Sequence, residues 1–286
     1  MNERHEYRKD VNAVNDFHAA TFASEWTTWH EGHEQRRSRP LGFLAITGMH
    51  WLTSTPERFR DVPGAWSSDA EVIHVDLDSD EELIRDGNVV RGRHDFGPFA
   101  EGMTIDADFG DNVVEITTRN GLALIRPRHP DNPIRVNYRG TPTYPPSLEW
   151  RVLAQFVLAE TPQSVTVDVM TEGLHQEYVS PGRAAFELHG RHCSLTLFND
   201  EENALFVLFS DQTAGVTTYG ACRRLDVDPP DLEGNLILDF NRATNLPCAY
   251  TVFTTCPLPT PENRLAVAIE AGEQRPLPND AKGNRD

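Results

Sequence analysis

The chain has almost no lysine. Its 286 residues carry 44 acidic side chains and 26 basic ones, and only Lys9 and Lys282 among the basic residues are lysines. Both lie near a chain end, where chains are usually frayed. Schiff-base chemistry, a Walker-type nucleotide site and a pyridoxal anchor each need a positioned lysine. The sequence therefore disfavours all three, and we predict no cofactor.

Long apolar runs and clusters of positive charge are also missing. No stretch approaches the 18 consecutive apolar residues of a transmembrane helix, and the first residues, MNERHEYRKDVNAVNDF, lack the apolar core of a signal peptide. The formal net charge of -18 repels phosphate backbones and anionic lipids. We expect a cytoplasmic protein with neither nucleic acid nor membrane as a partner. An acidic chain with Arg in place of Lys fits an extreme halophile or a high-GC mesophile equally well.

The sequence has few cysteines and none of the common catalytic motifs. Four cysteines in a chain of this length do not make a disulfide scaffold. There is no G-x-S-x-G elbow, no G-x-G-x-x-G after a strand and no P-loop. His30 and His33 miss the H-E-x-x-H zinc spacing by one residue, and His192 and Cys193 face opposite sides of a predicted strand. We therefore predict no metal site.

One long amphipathic helix is predicted over residues 1–37. Neither Pro nor Gly occurs from Met1 to Glu31. Apolar residues recur on one face at helical spacing: Tyr7, Val11, Val14, Phe22, Trp26 and Trp29. Such a stripe packs equally well against the chain's own core or against a second copy, so a homo-oligomer formed through this helix stays open.

Beyond Pro40 the apolar pattern changes to a period of two. Residues 73–77, 103–109, 152–158 and 165–169 alternate between apolar and polar side chains, which is typical of half-buried antiparallel strands. Short turn signals separate such segments: Asp86-Gly87, Gly110-Asp111, Asn120-Gly121 and His189-Gly190. We predict a mainly β protein with antiparallel sandwich or barrel-like sheets and one N-terminal amphipathic α-helix.

The Pro-rich stretch TPTYPPS, residues 141–147, offers an internal boundary. It divides a sandwich-like N-terminal β unit, residues 38–143, from a C-terminal β unit, residues 144–274, that contains a long Pro-rich loop. Residues 275–286 have no apolar pattern and are predicted to form a mobile tail.

The long loop of the C-terminal unit contains the candidate binding residues. Apolar segments 236–238 and 265–269 are predicted strands on either side of it. Its polar residues of interest are Asn241, Arg242, Asn245, Glu262, Asn263 and Arg264. Two buried Arg would bind a carboxylate or phosphate, with Tyr219 or Trp150 as an apolar wall. In the structural alternative, the same polar groups satisfy one another and hold the loop in place.

Cys248 and Cys256 lie in the same loop, and each is next to a proline. Their spacing is not that of a zinc knuckle. We interpret them as a reduced pair of small buried residues. A disulfide in an oxidising compartment, or a reactive thiol beside Arg242 or Arg264, are the alternatives.

Several segments resemble a bacterial and archaeal family, domain-of-unknown-function family 1684. These are LGFLAITGMHWL at 41–52, FELHGRHCSLTLF at 186–198, LFVLFSDQTAGVTTYGACRRL at 205–225 and DFNRATNLPCAYTVFTTCPLPTPENRLAVAIEAGE at 239–273. The chain departs from the family pattern at Thr244 and Leu246, where the family tends to have an aromatic residue and a proline. The resemblance supports the segment boundaries and implies no established activity.

Three functions remain open at this point. The first is binding of a small molecule, with an anionic ligand as partner, by a pocket in the C-terminal β unit. The second is a hydrolase or a thiol-dependent enzyme that uses Cys248 or Cys256. The third is a structural or oligomeric interaction protein, in which the long loop serves only to hold the fold together.

Overall fold

The computed structural model describes residues 3–69, 72–100 and 102–277, with the backbone alone for residues 3–19. Helix α1 (Glu3–Arg37) confirms the predicted N-terminal helix. The predicted stripe residues Tyr7, Val11 and Val14 lie outside the described side chains, as does Lys9, and Lys282 lies outside the described residues.

The described part of the apolar stripe on α1 packs against the same chain. Phe22 and Trp26 are buried, and Trp29 is half-buried. The indole Nε1 of Trp26 donates a hydrogen bond of 2.8 Å to the carbonyl of Asn241. From Trp26 to Arg37 this face of the helix therefore contacts its own chain, and a homo-oligomer formed through the helix stays a prediction.

Among the described residues, ten strands lie between positions 50 and 128: β1 (His50–Trp51), β2 (Glu57–Arg58), β3 (Ala65–Asp69), β4 (Val72–Asp76), β5 (Leu83–Arg85), β6 (Asn88–Val90), β7 (Arg93–Phe96), β8 (Thr104–Phe109), β9 (Asn112–Arg119) and β10 (Leu122–Arg128). After the short helix α2 (Pro133–Val136) the same described part has seven more: β11 (Arg151–Asp168), β12 (His175–Leu188), β13 (Arg191–Asn199), β14 (Leu205–Phe209), β15 (Arg223–Val227), β16 (Asn235–Asp239) and β17 (Thr244–Asn245).

The first ten strands form two antiparallel sheets, in the orders β1-β10-β9-β8-β5-β6 and β2-β3-β4-β7. Their inner faces share one apolar core, to which Trp66, Ile73 and Phe96 contribute from the smaller sheet. Ile116 and Ile125 contribute from the larger one. The alternating pattern of the sequence thus produces a two-sheet packing, and the predicted mainly β, antiparallel fold class is confirmed.

The predicted hairpin turns connect neighbouring strands as expected. Asp86-Gly87, Asn120-Gly121 and His189-Gly190 each place both turn residues at positive φ, and each joins a pair of antiparallel strands. Asn, Asp, His and Gly tolerate this left-handed region better than most residues, which is why such dipeptides select tight hairpins.

The last seven strands form one antiparallel sheet in the order β16-β11-β12-β13-β14-β15-β17. Alternate residues of β13 face opposite sides: Leu195 and Leu197 belong to the larger core of this unit, whereas Phe198 belongs to a smaller cluster. The larger core is completed by Phe240 and by buried residues of the segment 265–271.

The prediction of a strand at residues 265–269 is wrong. Leu265, Val267 and Ile269 are buried in alternation, but the segment forms no regular ladder. It meets the chain after β14 through a parallel bridge between Ser210 and Arg264. The alternation therefore reflects burial against the sheet without membership of it.

A buried ion pair satisfies backbone groups of the segment 265–271 that a strand ladder would otherwise pair. Asp211 and Arg223 are both almost fully buried, and an Nη2–Oδ2 distance of 2.7 Å joins them. Arg223 also donates to the carbonyls of Ile269 and Ala271, and Asp211 accepts the Ile269 amide at 3.1 Å. Side chains thus satisfy backbone groups that a neighbouring strand would otherwise pair.

Two large cores occupy different parts of the chain, one built from residues 62–125 and the other from residues 150–271. A small cluster of Leu44, Ile134 and Tyr250 combines residues from both sides of residue 143. The predicted division into units at residue 143 stays a prediction. No helix in the described ranges has the length and apolarity needed to cross a membrane.

Gly272 occupies a position that only glycine fits. Its φ is +72°, and an added Cβ would lie 2.6 Å from the carbonyl oxygen of Ala243 and 2.7 Å from that of Phe240. We expect Gly272→Ala to lower the free energy of unfolding by about 3 kcal/mol, because φ strain and overpacking both act there. Gly110→Ala is the matched control: its φ is +58° and nothing lies within 4 Å, so about 1 kcal/mol is expected. Equal losses of unfolding free energy in the two variants, measured by urea denaturation, would contradict the role assigned to the carbonyl oxygens packed against Gly272.

Candidate functional site

Asn241 and Arg242 lie in a short 3₁₀ turn directly after β16. The Asn241 side chain accepts the Ser147 amide and donates to the Ser147 carbonyl, both at 2.9 Å, and it also donates to Asp239 at 2.8 Å. The guanidinium of Arg242 lies over the Trp29 ring at 5.5 Å. These contacts join the end of β16 to helix α1 and to the chain before β11.

The other two asparagines also connect separate segments. The backbone amide of Asn245 donates to the Glu273 carboxylate at 2.6 Å, and its side-chain amide donates to the carbonyl of Gln274 at 2.8 Å. Asn263 exchanges hydrogen bonds with the Thr196 backbone and donates to the Leu208 carbonyl, at 2.7–3.0 Å. These hydrogen bonds attach the long loop to neighbouring segments, as expected if its polar residues serve to hold the loop in place.

The expectation of two buried arginines in one loop is wrong. Arg264 and Glu262 are exposed beside β14, and 40% of the Arg242 side chain is exposed. The six predicted residues therefore fall into three groups: one at the end of β16, one at β17 and one beside β13 and β14. Ligand contact by any of them stays a prediction.

The cavity beside Arg242, here the Arg242 cavity, has a volume of about 770 Å³. Its charged lining residues are Arg151, Arg224, Arg242, Asp200, Asp226, Asp228, Asp231 and Asp239. Several are already paired, since Asp226 lies 2.6 Å from Arg224 and Asp239 lies 3.6 Å from Arg242. The aspartates of the Arg242 cavity therefore neutralise the positive charge of its arginines.

A second cavity, of about 550 Å³, lies beside residues 249–250 of the long loop. Its walls are residues 137–140, 215, 219–220, 249–250 and 275–277, and we name it the tyrosine–arginine pocket. Three rings (Tyr138, Tyr219 and Tyr250) and two guanidiniums (Arg139 and Arg275) line it. Among its described lining residues there is no Asp or Glu.

Backbone carbonyls hold both guanidiniums of this pocket. Arg139 donates to the carbonyls of Val136 and Tyr138 at 2.8 and 2.9 Å. Arg275 donates its side chain to the Gly215 carbonyl and its amide to the carbonyl of Thr217 at 2.9 Å. The sequence predicted a mobile tail from Arg275 onward. Arg275 is hydrogen-bonded to residues 215 and 217, Pro276 and Leu277 line the pocket, and residues 278–286 lie outside the described part of the chain.

A buried polar network lies behind the pocket wall. The Thr141 hydroxyl is 2.7 Å from the phenolic oxygens of both Tyr138 and Tyr250. Tyr138 also donates to Glu34 at 2.5 Å. Burial raises the pKa of Tyr138 and of Tyr250 above the usual tyrosine range, so both phenols stay protonated at neutral pH.

Arg37 and Glu273 form the centre of this network. Nη2 of Arg37 donates to Oε2 of Glu273 at 3.0 Å, and its Nη1 lies 2.7 Å from Oε1. Burial raises the pKa of Glu273, and the Arg37 guanidinium opposes that rise. Nε2 of His33 lies 2.7 Å from Nη2 of Arg37. Burial and the Arg37 charge lower the pKa of His33 to about 3, so the imidazole is neutral and accepts this bond.

The remaining candidates concern thiols and metal ligands. All four cysteines are free; Cys256 is buried and Cys248 half-buried. The Cys248 amide donates to the sulfur of Cys256 at 3.2 Å. In the described part of the chain, no group of three or more His, Cys, Asp or Glu side chains is placed to hold a metal ion.

Residues 136–274 match the family described as "Protein of unknown function (DUF1684)". The chain belongs to the DUF1684 family. The solution NMR structure of an uncharacterized protein of Haloarcula marismortui is similar, with 34% sequence identity over 49% of this chain and 78% of that chain, and a TM-score of 0.42. No curated protein matches the chain.

The DUF1684 region supplies most walls of the tyrosine–arginine pocket, and Arg275 follows its last matched residue directly. Of the lining side chains, sequence reasoning singled out only Tyr219. Tyr138 and Arg139 were not among the candidate residues, and Arg275 was predicted to begin the mobile tail. The sequence gives no signal for Arg275, because the burial of Glu273, two residues before it, is visible only in the structure.

The neutral His33 makes the docking of helix α1 sensitive to acid. Its pKa is about 3 in the folded chain against an ordinary value of 6.5, so the unfolded chain binds the proton more readily and stability is lost as pH falls from 6.5 towards 3. His33→Gln keeps an acceptor for Arg37 but does not titrate. Between pH 7 and 5 we expect the parent to lose about 1 kcal/mol more stability than this variant, allowing for partial exposure. If urea denaturation at the two pH values shows that the parent and His33→Gln lose the same amount of stability, this expectation is wrong.

Proposed function

We propose that the tyrosine–arginine pocket binds a small organic anion. The observation that carries the proposal is the charge of its wall: two arginines and, among the described lining residues, no carboxylate. The chain as a whole has a formal net charge of -18. A concave surface whose charged side chains are all positive is therefore a local exception, and it favours an anion over a neutral or cationic ligand.

The arginine geometry suits recognition of a carboxylate or phosphate. Each guanidinium is held at the wall by backbone carbonyls, so less side-chain entropy is lost when a ligand binds. Both arginines are nevertheless exposed to solvent, and an anion can reach them. Charge-assisted hydrogen bonds to a planar fork fix both the position and the orientation of such a ligand.

The rest of the lining favours an organic body on the anion. Tyrosine rings, Ala249, Pro276 and Leu277 provide apolar and aromatic contact. The volume of about 550 Å³ falls within the range of ordinary small-molecule sites. A small aromatic carboxylate fits this combination of two cations and three aromatic rings.

Binding is favoured over catalysis in this pocket. Its described lining residues include no Ser, Thr, Cys, His, Asp or Glu, so they offer no ordinary nucleophile or general base. The phenolic oxygens of Tyr138 and Tyr250 are already engaged with Thr141 in the buried network.

The test compares two arginine sites in the same protein. Benzoate, 4-hydroxybenzoate, acetate and inorganic phosphate are the probes, measured by thermal shift and isothermal titration calorimetry. We expect an aromatic carboxylate to raise the Tm of the parent. The double variant Arg139→Gln and Arg275→Gln should bind this carboxylate about tenfold more weakly or worse, because each lost charge-assisted hydrogen bond contributes about 1.5–3 kcal/mol.

Arg242→Gln is the matched control, because it removes one guanidinium from the Arg242 cavity and leaves the tyrosine–arginine pocket intact. Circular dichroism checks that both variants are folded. Loss of binding in Arg242→Gln alone would move the site to the Arg242 cavity. A parent protein that binds none of the probes would overturn the proposed ligand class.

A further inference from the structure

Three of the four cysteines are neighbours in the C-terminal unit. Cys222, Cys248 and Cys256 are close enough for each to influence the ionisation of the others. Cys222 is 1% exposed and is packed in the smaller core cluster. Cys193 lies apart, at the edge of the larger core. Among the three neighbouring cysteines, a hydrogen bond joins Cys248 to Cys256.

The contact between Cys248 and Cys256 is direct. The backbone amide of Cys248 donates to the sulfur of Cys256 at 3.2 Å, and each thiol shifts the pKa of the other. The amide nitrogen of Cys248 lies one bond from its own Cα, so this contact places the two cysteines side by side, as a disulfide between them requires.

Independent anchors hold the two residues in this position. The Tyr219 hydroxyl donates to the Cys248 carbonyl at 3.0 Å. The Met170 amide, just beyond β11, donates to the Cys256 carbonyl at 3.0 Å. The positions of both residues are therefore fixed by contacts outside the loop that contains them.

The two sulfurs differ in character. Hydrogen bonding from Cys248 lowers the pKa of Cys256, whereas hydrogen bonding to Cys256 and burial raise the pKa of Cys248. Thiolate character therefore concentrates on Cys256, with a protonated thiol beside it as the resolving partner.

We propose that Cys248 and Cys256 form a reversible intramolecular disulfide when the protein meets a peroxide. The Cys256 sulfur attacks one peroxide oxygen, the O–O bond breaks, and the leaving hydroxide takes up the proton from Cys256 and departs as water. The Cys248 sulfur then attacks the resulting sulfenic acid, the S–O bond breaks, and the hydroxyl leaves as water with the Cys248 proton. The two thiols lose two electrons in total, and the peroxide becomes two molecules of water.

The full-length, reduced protein is treated with hydrogen peroxide in the absence of any pocket ligand, so the result does not depend on the proposed function. We expect the number of thiols titrated after denaturation to fall from four to two and to return to four with dithiothreitol. Trypsin leaves both cysteines in the peptide 243–264, which should lose two hydrogens by mass spectrometry.

Cys193→Ser is the control and should keep the full response, whereas Cys248→Ser and Cys248→Ala should abolish it. Since the parent protein alone gives the decisive peptide mass, poor folding of a variant does not affect the conclusion. A peptide 243–264 that keeps both thiols, or that gains oxygen without losing two hydrogens, would overturn the proposal. Loss of thiols that is confined to Cys193 would do the same.

Discussion

The ion pair between Arg37 and Glu273 is the contact on which the rest of the structure depends. It joins the end of the N-terminal helix to a segment 236 residues further along the chain. Both side chains are almost fully buried. The same carboxylate accepts the Asn245 amide and therefore also fixes the edge strand β17. Removing one partner of such a pair leaves an uncompensated buried charge, which is strongly destabilising.

A second buried pair, Asp211 with Arg223, orders the segment just before Glu273. Together the two pairs and Asn263 hold a stretch that covers the core without joining the sheet. Arg275 lies immediately beyond this stretch, so the position of the tyrosine–arginine pocket is a consequence of the buried polar contacts. In this chain, polar side chains determine where an irregular segment lies, and the proposed anion site depends on that placement.

Short-range patterns predicted the parts of the fold that short-range physics determines. The hairpins at Asn120-Gly121 and His189-Gly190 follow from local turn chemistry, and the helix follows from a long interval without Pro or Gly. The Arg37–Glu273 pair could not be predicted this way, because a buried charge and a surface charge look alike in one sequence. Asn263 was selected for its polarity, and its side-chain hydrogen bonds are all with the backbone of β13 and β14. Residues 265–269 show that alternation records burial and not strand pairing.

Hydrogen–deuterium exchange of α1 in Glu273→Gln tests the central role of the ion pair most directly, because the substitution keeps the shape of the side chain and removes its charge. Glu270→Gln, at an exposed position three residues earlier, is the control. The account predicts that amides of residues 20–37 exchange about tenfold faster or more in Glu273→Gln, equivalent to about 1.4 kcal/mol, while β12 and β13 keep their protection and Glu270→Gln matches the parent. Unchanged protection of residues 20–37 in Glu273→Gln would contradict it.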